Sequence, residues 1–185
     1  MKKKERNKYK KKNLLLTNSE IFLKKLNPEK DVTNKYKSWL NDKKITQYIE
    51  QKFKKHSIKD IKKFVIKKNN SKDEFLFGIF LKVKNIHIGN IKLGPIKWNH
   101  KSAEISYFIG ENKLHSKNYV SEAIRKILIF AKKIKIKKIN EGFYSINKGS
   151  ERALKKNGFK LEGILKSQLI HKKKRIDSII MGKIL

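Results

Sequence analysis

The spacing of apolar residues changes several times along the chain, and each change marks an element. Ile21, Leu23 and Leu26 read as a first strand, stopped by Asn27-Pro28. Val32, Tyr36, Trp39 and Leu40 fall at helical steps, and Asn41-Asp42 breaks them. A second helix is predicted after Ser57. Ile58, Ile61, Phe64 and Val65 share its inner face, Ser57 caps it, and Asp60 three residues on completes a capping box. Phe75, Phe77, Ile79, Leu81 and Val83 then alternate as a strand does, and Ile86 to Lys97 is a second β-rich run. Lys84-Asn85 suits a hairpin turn between them, and Gly94-Pro95 marks a bulge or an edge. Trp98 to Lys101 turns the chain into a third strand, Ala103 to Ile109.

Residues 111–117 are polar and irregular. After them Val120, Ala123, Ile124, Ile127, Leu128, Ala131 and Ile134 recur at three- and four-residue steps, the clearest amphipathic helix in the chain. Ile139 to Ser145 reads as a strand and Lys148 to Lys156 as a short helix. Gly158-Phe159 stops it, another strand follows, and a last one spans roughly Ile176 to Ile184. The order β-α-α-β-β-β-α-β-α-β-β predicts an α/β (α+β) fold, a mixed sheet with helices on both faces. Residues 1–18 are expected to be a lysine-rich, disordered tail, and 19–185 one domain.

Composition narrows the chemistry. With no cysteine there is no disulfide framework, thiolate nucleophile or cysteine metal site. The histidines are scattered, so the protein is expected to be metal-free. No apolar run approaches a membrane span, and the apolar stretch after the basic start, Leu14 to Leu16, is too short for a signal peptide. A cytoplasmic location is expected. The formal charge is +33 in 185 residues, yet all but four of the 49 basic residues are lysines, spread along the whole chain. Nucleic-acid readers lean on arginine, whose planar fork matches phosphate and guanine. A chain rich in Lys, Asn and Ile looks more like compositional drift than a shaped surface. It still predicts weak, salt-dependent attraction to polyanions.

Six short segments carry a family resemblance. They are Ser38-Trp39-Leu40-Asn41-Asp42, Ile88-Gly89-Asn90-Ile91, Ala103 to Gly110 (AEISYFIG), Tyr119-Val120-Ser121-Glu122-Ala123, Asn147-Lys148-Gly149-Ser150 and Asn157 to Gly163 (NGFKLEG). In this order they resemble the GNAT acetyltransferases, in the branch of the ribosomal-protein N-terminal and sugar-amine enzymes. The resemblance implies a mostly antiparallel sheet with a splayed central strand pair, and acetyl transfer from acetyl-CoA to a primary amine.

The resemblance also implies site residues. In the family the acetyl-CoA pyrophosphate sits at the start of the central helix, in a loop of the form Gln/Arg-x-x-Gly-x-Gly/Ala. The unpaired N–H groups of a first helical turn suit an anion there. Here the loop reads His115-Ser116-Lys117-Asn118-Tyr119-Val120, and neither glycine is present. Asn118 tolerates a left-handed backbone best among non-glycine residues and can keep the turn. Val120 adds methyl groups near the expected phosphate. Lys117 and the Ser121 hydroxyl can compensate by contacting phosphate oxygens, with Ser116 and Tyr119 completing the loop. The pantetheine arm is expected along the backbone of Phe108, Ile109 and Gly110, as an added strand. Asn147 matches an asparagine that contacts this arm, or else caps its helix.

Acetyl transfer needs a neutral amine, and a lysine-type amine is under roughly a thousandth neutral at pH 7. The family's recurrent acidic position falls on Glu104, the candidate general base, whose other reading is a solvated strand carboxylate. The tyrosine that many relatives use to protonate the leaving thiolate is replaced by Leu154. Ser150 matches the serine used instead in this branch; its hydroxyl can donate a hydrogen bond to the thiolate, or it is simply a first-turn serine. Tyr107 and Tyr144 are reserves, and Trp39 and Trp98 are expected to be packing residues. The acceptor is open between an amino sugar (nucleotide-linked), a protein N-terminus and a polyamine, with the positive surface disfavouring a polycation. The competing function is a basic RNA- or ribosome-associating module on a decayed acetyltransferase fold.

Overall fold

The computed structural model describes residues 19–115 and 117–185. The expected tail at 1–18 and Ser116 of the loop lie outside the described residues. Seven strands form one sheet in the order β1-β2-β3-β4-β5-β7-β6. They are β1 (Ile21–Lys25), β2 (Phe75–Leu81), β3 (Ile86–Lys97), β4 (Ser102–Ile109), β5 (Lys138–Tyr144), β6 (Lys160–His171) and β7 (Lys174–Ile184). Every neighbouring pair is antiparallel except β4 and β5, which run parallel. That pair holds register only at Ser102–Glu104 against Lys138–Asn140, and then the strands part. The helices are α1 (Asn34–Asn41), α2 (Lys43–Thr46), α3 (Ile58–Asn70), α4 (Tyr119–Lys133) and α5 (Lys148–Lys156).

Both faces of the sheet are covered, as the apolar pattern of β2 requires. Its first six residues are all buried. Phe75, Phe77 and Ile79 enter the core under α4, whereas Leu76 and Phe80 enter the core under α1 and α3. Successive strand residues point to opposite faces, so a continuous apolar run means two cores. On α4 the predicted stripe is buried from Ala123 to Ala131, with Val120 half-buried, and Phe130 meets Phe75 and Phe77 edge-on at 5.0 and 5.3 Å.

The local signals hold in the main, but β2 ends at Leu81, and Val83, expected to continue its alternation, is exposed in the following turn. The Ser57–Asp60 capping box forms, with Asp60 N–H donating to Ser57 Oγ at 3.2 Å and Ser57 N–H to Asp60 Oδ2 at 3.2 Å. Yet Phe64, expected on the inner face of α3, is 37% exposed and lines a cavity instead. Asn41-Asp42 ends α1, but Asp42 at once caps the short α2 by accepting from Lys44 N–H at 2.7 Å. Gly94 has φ +124°, and the β3–β4 register shifts between Leu93 and Ile96. This is a bulge in a strand flanked on both sides, not an edge.

One core residue is out of character. Lys126 on α4 is 1% exposed, and its Nζ has no partner among the described groups. Burial pushes its pKa down to about 8. An unsatisfied buried polar group costs about 1–3 kcal/mol. Lys126→Met should therefore raise Tm by several degrees at pH 7, read by thermal denaturation. The gain should shrink above pH 8. There the wild-type ammonium releases its proton in the fold while the unfolded chain, with a pKa of about 10.4, still holds it.

Candidate functional site

A cavity of about 520 Å³ opens where β4 and β5 part. Ser106 and Phe108 line it from one face of β4, and Tyr107, between them, from the other; Glu141 and Gly142 both line it on β5. The cavity therefore passes through the gap in the sheet. On one side its wall is Tyr36, Leu40, Ile61 and Phe64 of α1 and α3; on the other, Asn147 and Ser150 at the start of α5.

The β4 edge at this gap is backbone without a neighbouring strand. Gly110 N–H donates to Ile88 O at 2.8 Å, so Gly110 and Phe108 turn their backbone groups to β3. Alternation turns those of Tyr107 and Ile109 into the gap, where β5 has already diverged. The Ile109 carbonyl accepts from His115 Nε2 at 3.0 Å. Ile109 N–H and the Tyr107 backbone groups face the gap, arranged as an extended partner would require. Gly110 keeps this edge close to α1: a Cβ there would fall 2.0 Å from the Trp39 ring. Trp39 itself packs on Phe108 and His87, in the structural role expected of it.

The loop before α4 makes its turn without glycine. Asn118 has φ 59° and ψ 6°, and its side chain caps nothing. It contributes its backbone conformation, leaving the first-turn N–H groups of Tyr119, Val120 and Ser121 without a side-chain cap. Val120 packs in part against the core under α4. The Tyr119 ring is buried, and its hydroxyl donates to Glu20 at 2.8 Å. Ser121 is also buried, and its Oγ accepts from Asn157 Nδ2 at 2.9 Å. Its side chain is thus directed to the end of α5, and its backbone is what it can offer an anion. Lys117 is exposed. None of Lys117 to Ser121 lines the cavity.

Asn147 caps α5: its Oδ1 accepts from Ser150 N–H at 3.1 Å, and its Nδ2 donates to Ser150 Oγ at 3.0 Å. Because Ser150 Oγ is the acceptor there, its own proton is free for a group in the cavity. Tyr107 Oη is buried beside Ser150 but reaches hydrogen-bond geometry with no described group. Burial, then the Glu141 charge, push its pKa far up, so it stays a neutral phenol.

Glu104 stands on the same side of β4 as Ser106, exposed, and does not line the cavity. Three carboxyls do line it, those of Glu50, Asp60 and Glu141, and the buried one is Glu141, on β5, 8% exposed. Burial raises its pKa well above the ordinary carboxylate value; the Glu104 charge raises it further, and Lys92 opposes them. Sequence reasoning passed over Glu141, although a lone acid among Ile139, Phe143 and Tyr144 was a usable signal. Lys92 and Lys68 also line the cavity, and both pair with Glu74. Among the described residues no cluster of three or more His, Asp or Glu could hold a metal, and no helix is long and apolar enough to cross a membrane.

A sequence profile of the acetyltransferase (GNAT) domain matches residues 20–160, and the chain belongs to that family. It is 34% identical over 100 residues to a probable N-acetyltransferase, YjcK, of Bacillus subtilis, which covers 52% of this chain. The chain spans about half, 54%, of the length of that curated relative. In fold it is similar to the spermidine N-acetyltransferase of Vibrio cholerae in complex with CoA and spermine. That match has TM-score 0.79 and 20% identity, and covers 90% of this chain and 96% of that one. It is similar too to RimL, a ribosomal L7/L12 α-N-protein acetyltransferase in complex with coenzyme A, with TM-score 0.79, 16% identity and 94% and 98% coverage.

The raised pKa of Glu141 has a consequence for stability. A carboxyl whose folded pKa is raised stabilises below its unfolded pKa, about 4.3. That contribution is lost as pH climbs toward the folded value. Glu141→Gln keeps the shape and removes the ionisation. Thermal denaturation from pH 4 to 8 should show the two proteins converging at the acid end and the variant gaining on wild type as pH rises.

Proposed function

We propose that the chain is an acetyl-CoA-dependent N-acetyltransferase acting on a primary amine. The observation that carries this reading is the β4 edge at Tyr107–Ile109, which has no neighbouring strand and opens onto a cavity through the sheet that Glu141 and Ser150 both line. The backbone edge suits a pantetheine arm laid on as an extra strand. The left-handed Asn118 at the start of α4 gives the pyrophosphate a helix N-terminus whose N–H groups the Asn118 side chain does not cap. That conformation also weakens the motive for a decayed, RNA-associating fold. A cytoplasmic location and weak attraction to polyanions belong to the same reading.

Each residue has a role in this mechanism. The amine nitrogen forms a bond to the thioester carbonyl carbon, the carbon–sulfur bond breaks, and the nitrogen gives up a proton. Glu141 accepts that proton. An ordinary carboxylate is a poor match for an ammonium, and a raised pKa brings base and acid closer. Ser150, with its oxygen held by Asn147, donates to the departing sulfur. Glu104 acts on the reaction through Glu141, as the like charge that helps raise it.

The cavity wall also bears on the acceptor. Glu50, Asp60 and Glu141 are its acids, and Lys68 and Lys92 its lysines. This near balance offers no acidic trough for a polycation in a chain of +33. It favours a compact amine such as an amino sugar, free or nucleotide-linked, over a polyamine, and narrowly over a protein N-terminus.

Calorimetric titration with acetyl-CoA tests the reading: saturable binding is expected, and no heat at millimolar acetyl-CoA would sink it. Glu141→Gln should lower kcat by about 10²–10⁴-fold, the worth of a general base, with acetyl-CoA affinity intact. Glu104→Gln should keep turnover and move the acid limb of the kcat/KM profile to lower pH. The base works deprotonated, and removing the neighbouring charge lowers its pKa. An unmoved limb would show that Glu104 does not act through Glu141.

A further inference from the structure

The cavity wall beneath α1 and α3 carries a polar group with nothing to bind. Asn90 on β3 is 4% exposed, lines the cavity, and its Nδ2 has no hydrogen-bond partner among the described groups. Around it the wall is apolar or aromatic: Tyr36, Leu40, Ile61, Leu76 and Phe108. The Tyr36 hydroxyl is close enough to feel the amide but does not meet hydrogen-bond geometry with it.

The orientation of this amide is fixed by its neighbours. His87 Nε2 lies 2.9 Å from the Gly89 carbonyl and 2.9 Å from Asn90 Oδ1. A backbone carbonyl only accepts, so Nε2 carries the proton, and the amide must turn its oxygen to it. The imidazole is itself clamped, stacked on Phe80 at 4.7 Å and met edge-on by Trp39 and Tyr36 at 5.1 and 5.4 Å. Flipping the amide would set two donors against each other. Asn90 therefore presents its amide N–H donors from a rigid wall, and neither is taken by a described group. Leaving such a donor unmade is costly, and a folded protein tolerates it best where a ligand completes it.

We propose that Asn90 Nδ2 is a specificity-determining donor, held by His87, which reads an uncharged oxygen on the acceptor. The acceptor class is then an amine whose body carries a hydroxyl or carbonyl oxygen beside an apolar flank, as a sugar ring does. A plain alkyl amine or polyamine leaves the donor unpaired. This rests on the acetyltransferase reading above and adds to it a residue and a substrate feature. A charged oxygen would bond the amide more strongly, but desolvating it against a wall of apolar and aromatic groups with no countercharge at Asn90 costs more than that gain. The lysines Lys68 and Lys92, already engaged by Glu74, lie on the same wall for any anionic extension.

The experiment compares kcat/KM for glucosamine, a nucleotide-linked amino hexose, spermidine and cyclohexylamine, the last a ring without oxygens. It uses the wild-type chain, Asn90→Leu and His87→Phe, and measures acetyl-CoA affinity by calorimetry in each. Wild type should prefer an amino sugar. In Asn90→Leu the preference for the amino sugar over cyclohexylamine should fall by about 10- to 100-fold, the worth of a buried hydrogen bond. Acetyl-CoA affinity should be unchanged. His87→Phe, which frees the amide to flip, should lose part of the same preference. The proposal is overturned if Asn90→Leu slows all amines alike, as a merely structural role would. It is also overturned if the preference is unchanged or if wild type turns over no amino sugar. A wild-type chain that does not bind acetyl-CoA overturns the acetyltransferase reading itself, a separate result.

Discussion

The parting of β4 from β5 is the constraint on which the site depends. Each strand is firmly held on its far side: β3 pairs with β4 along nearly its full length, and β7 pairs with β5 from Lys138 to Tyr144. Only the three residue pairs nearest Ser102 join the two halves directly. Past them the sheet becomes a wedge. Buried backbone groups demand partners, so the open edge of β4 cannot simply be sealed by apolar packing. His115 takes one carbonyl. The rest face a cavity, and the residues at its rim come from both halves and both faces of the sheet. A gap held open by well-paired flanks is a rigid support, which a site for an extended ligand needs.

The same gap explains the electrostatics. In a chain carrying +33, an acid on the surface would be surrounded by lysines and held ionised. Glu141 escapes this because it is inside the wedge, where desolvation, helped by the like charge of Glu104, outweighs the pull of Lys92. Elsewhere in the cavity, Lys68 and Lys92 share Glu74. The interior of the cleft is thus close to neutral while the exterior is strongly cationic. Net charge describes the surface of this protein and says little about its site.

Much of the fold was legible because its signals are local. The Ser57–Asp60 box, the stripe of α4 and the two-sided apolar run of β2 each report their own environment. The β6–β7 hairpin was only half legible. β6 is exposed along most of its length, so it shows no alternation, and its turn is made by Lys172 and Lys173 at left-handed φ of 49° and 65° without glycine or asparagine. The site was legible to the extent that it uses backbone. The β4 edge and the α4 entrance follow from the order of elements. Glu141 was missed: the lone acid in an apolar strand marks it as unusual, but that it lines a cavity follows from where β5 diverges, which no spacing encodes. Glu104, expected as the base, is exposed and off the cavity wall, and its charge acts on Glu141.

The glycine-free loop shows how one requirement can divide into two. A glycine at the start of such a helix does two things: it permits positive φ, and it lets a phosphate approach a backbone without a Cβ. Asn118 meets the first, since asparagine pays least among side-chain-bearing residues for the left-handed region. Val120 bears on the second. In the first turn of α4 its side chain leans on the core and so draws its methyl groups toward apolar contact. Tyr119 and Ser121 likewise turn inward, to Glu20 and Asn157. Three successive side chains anchored away from the loop leave three successive N–H groups as its surface. For anion binding at a helix N-terminus that surface matters more than the identity of the residues behind it.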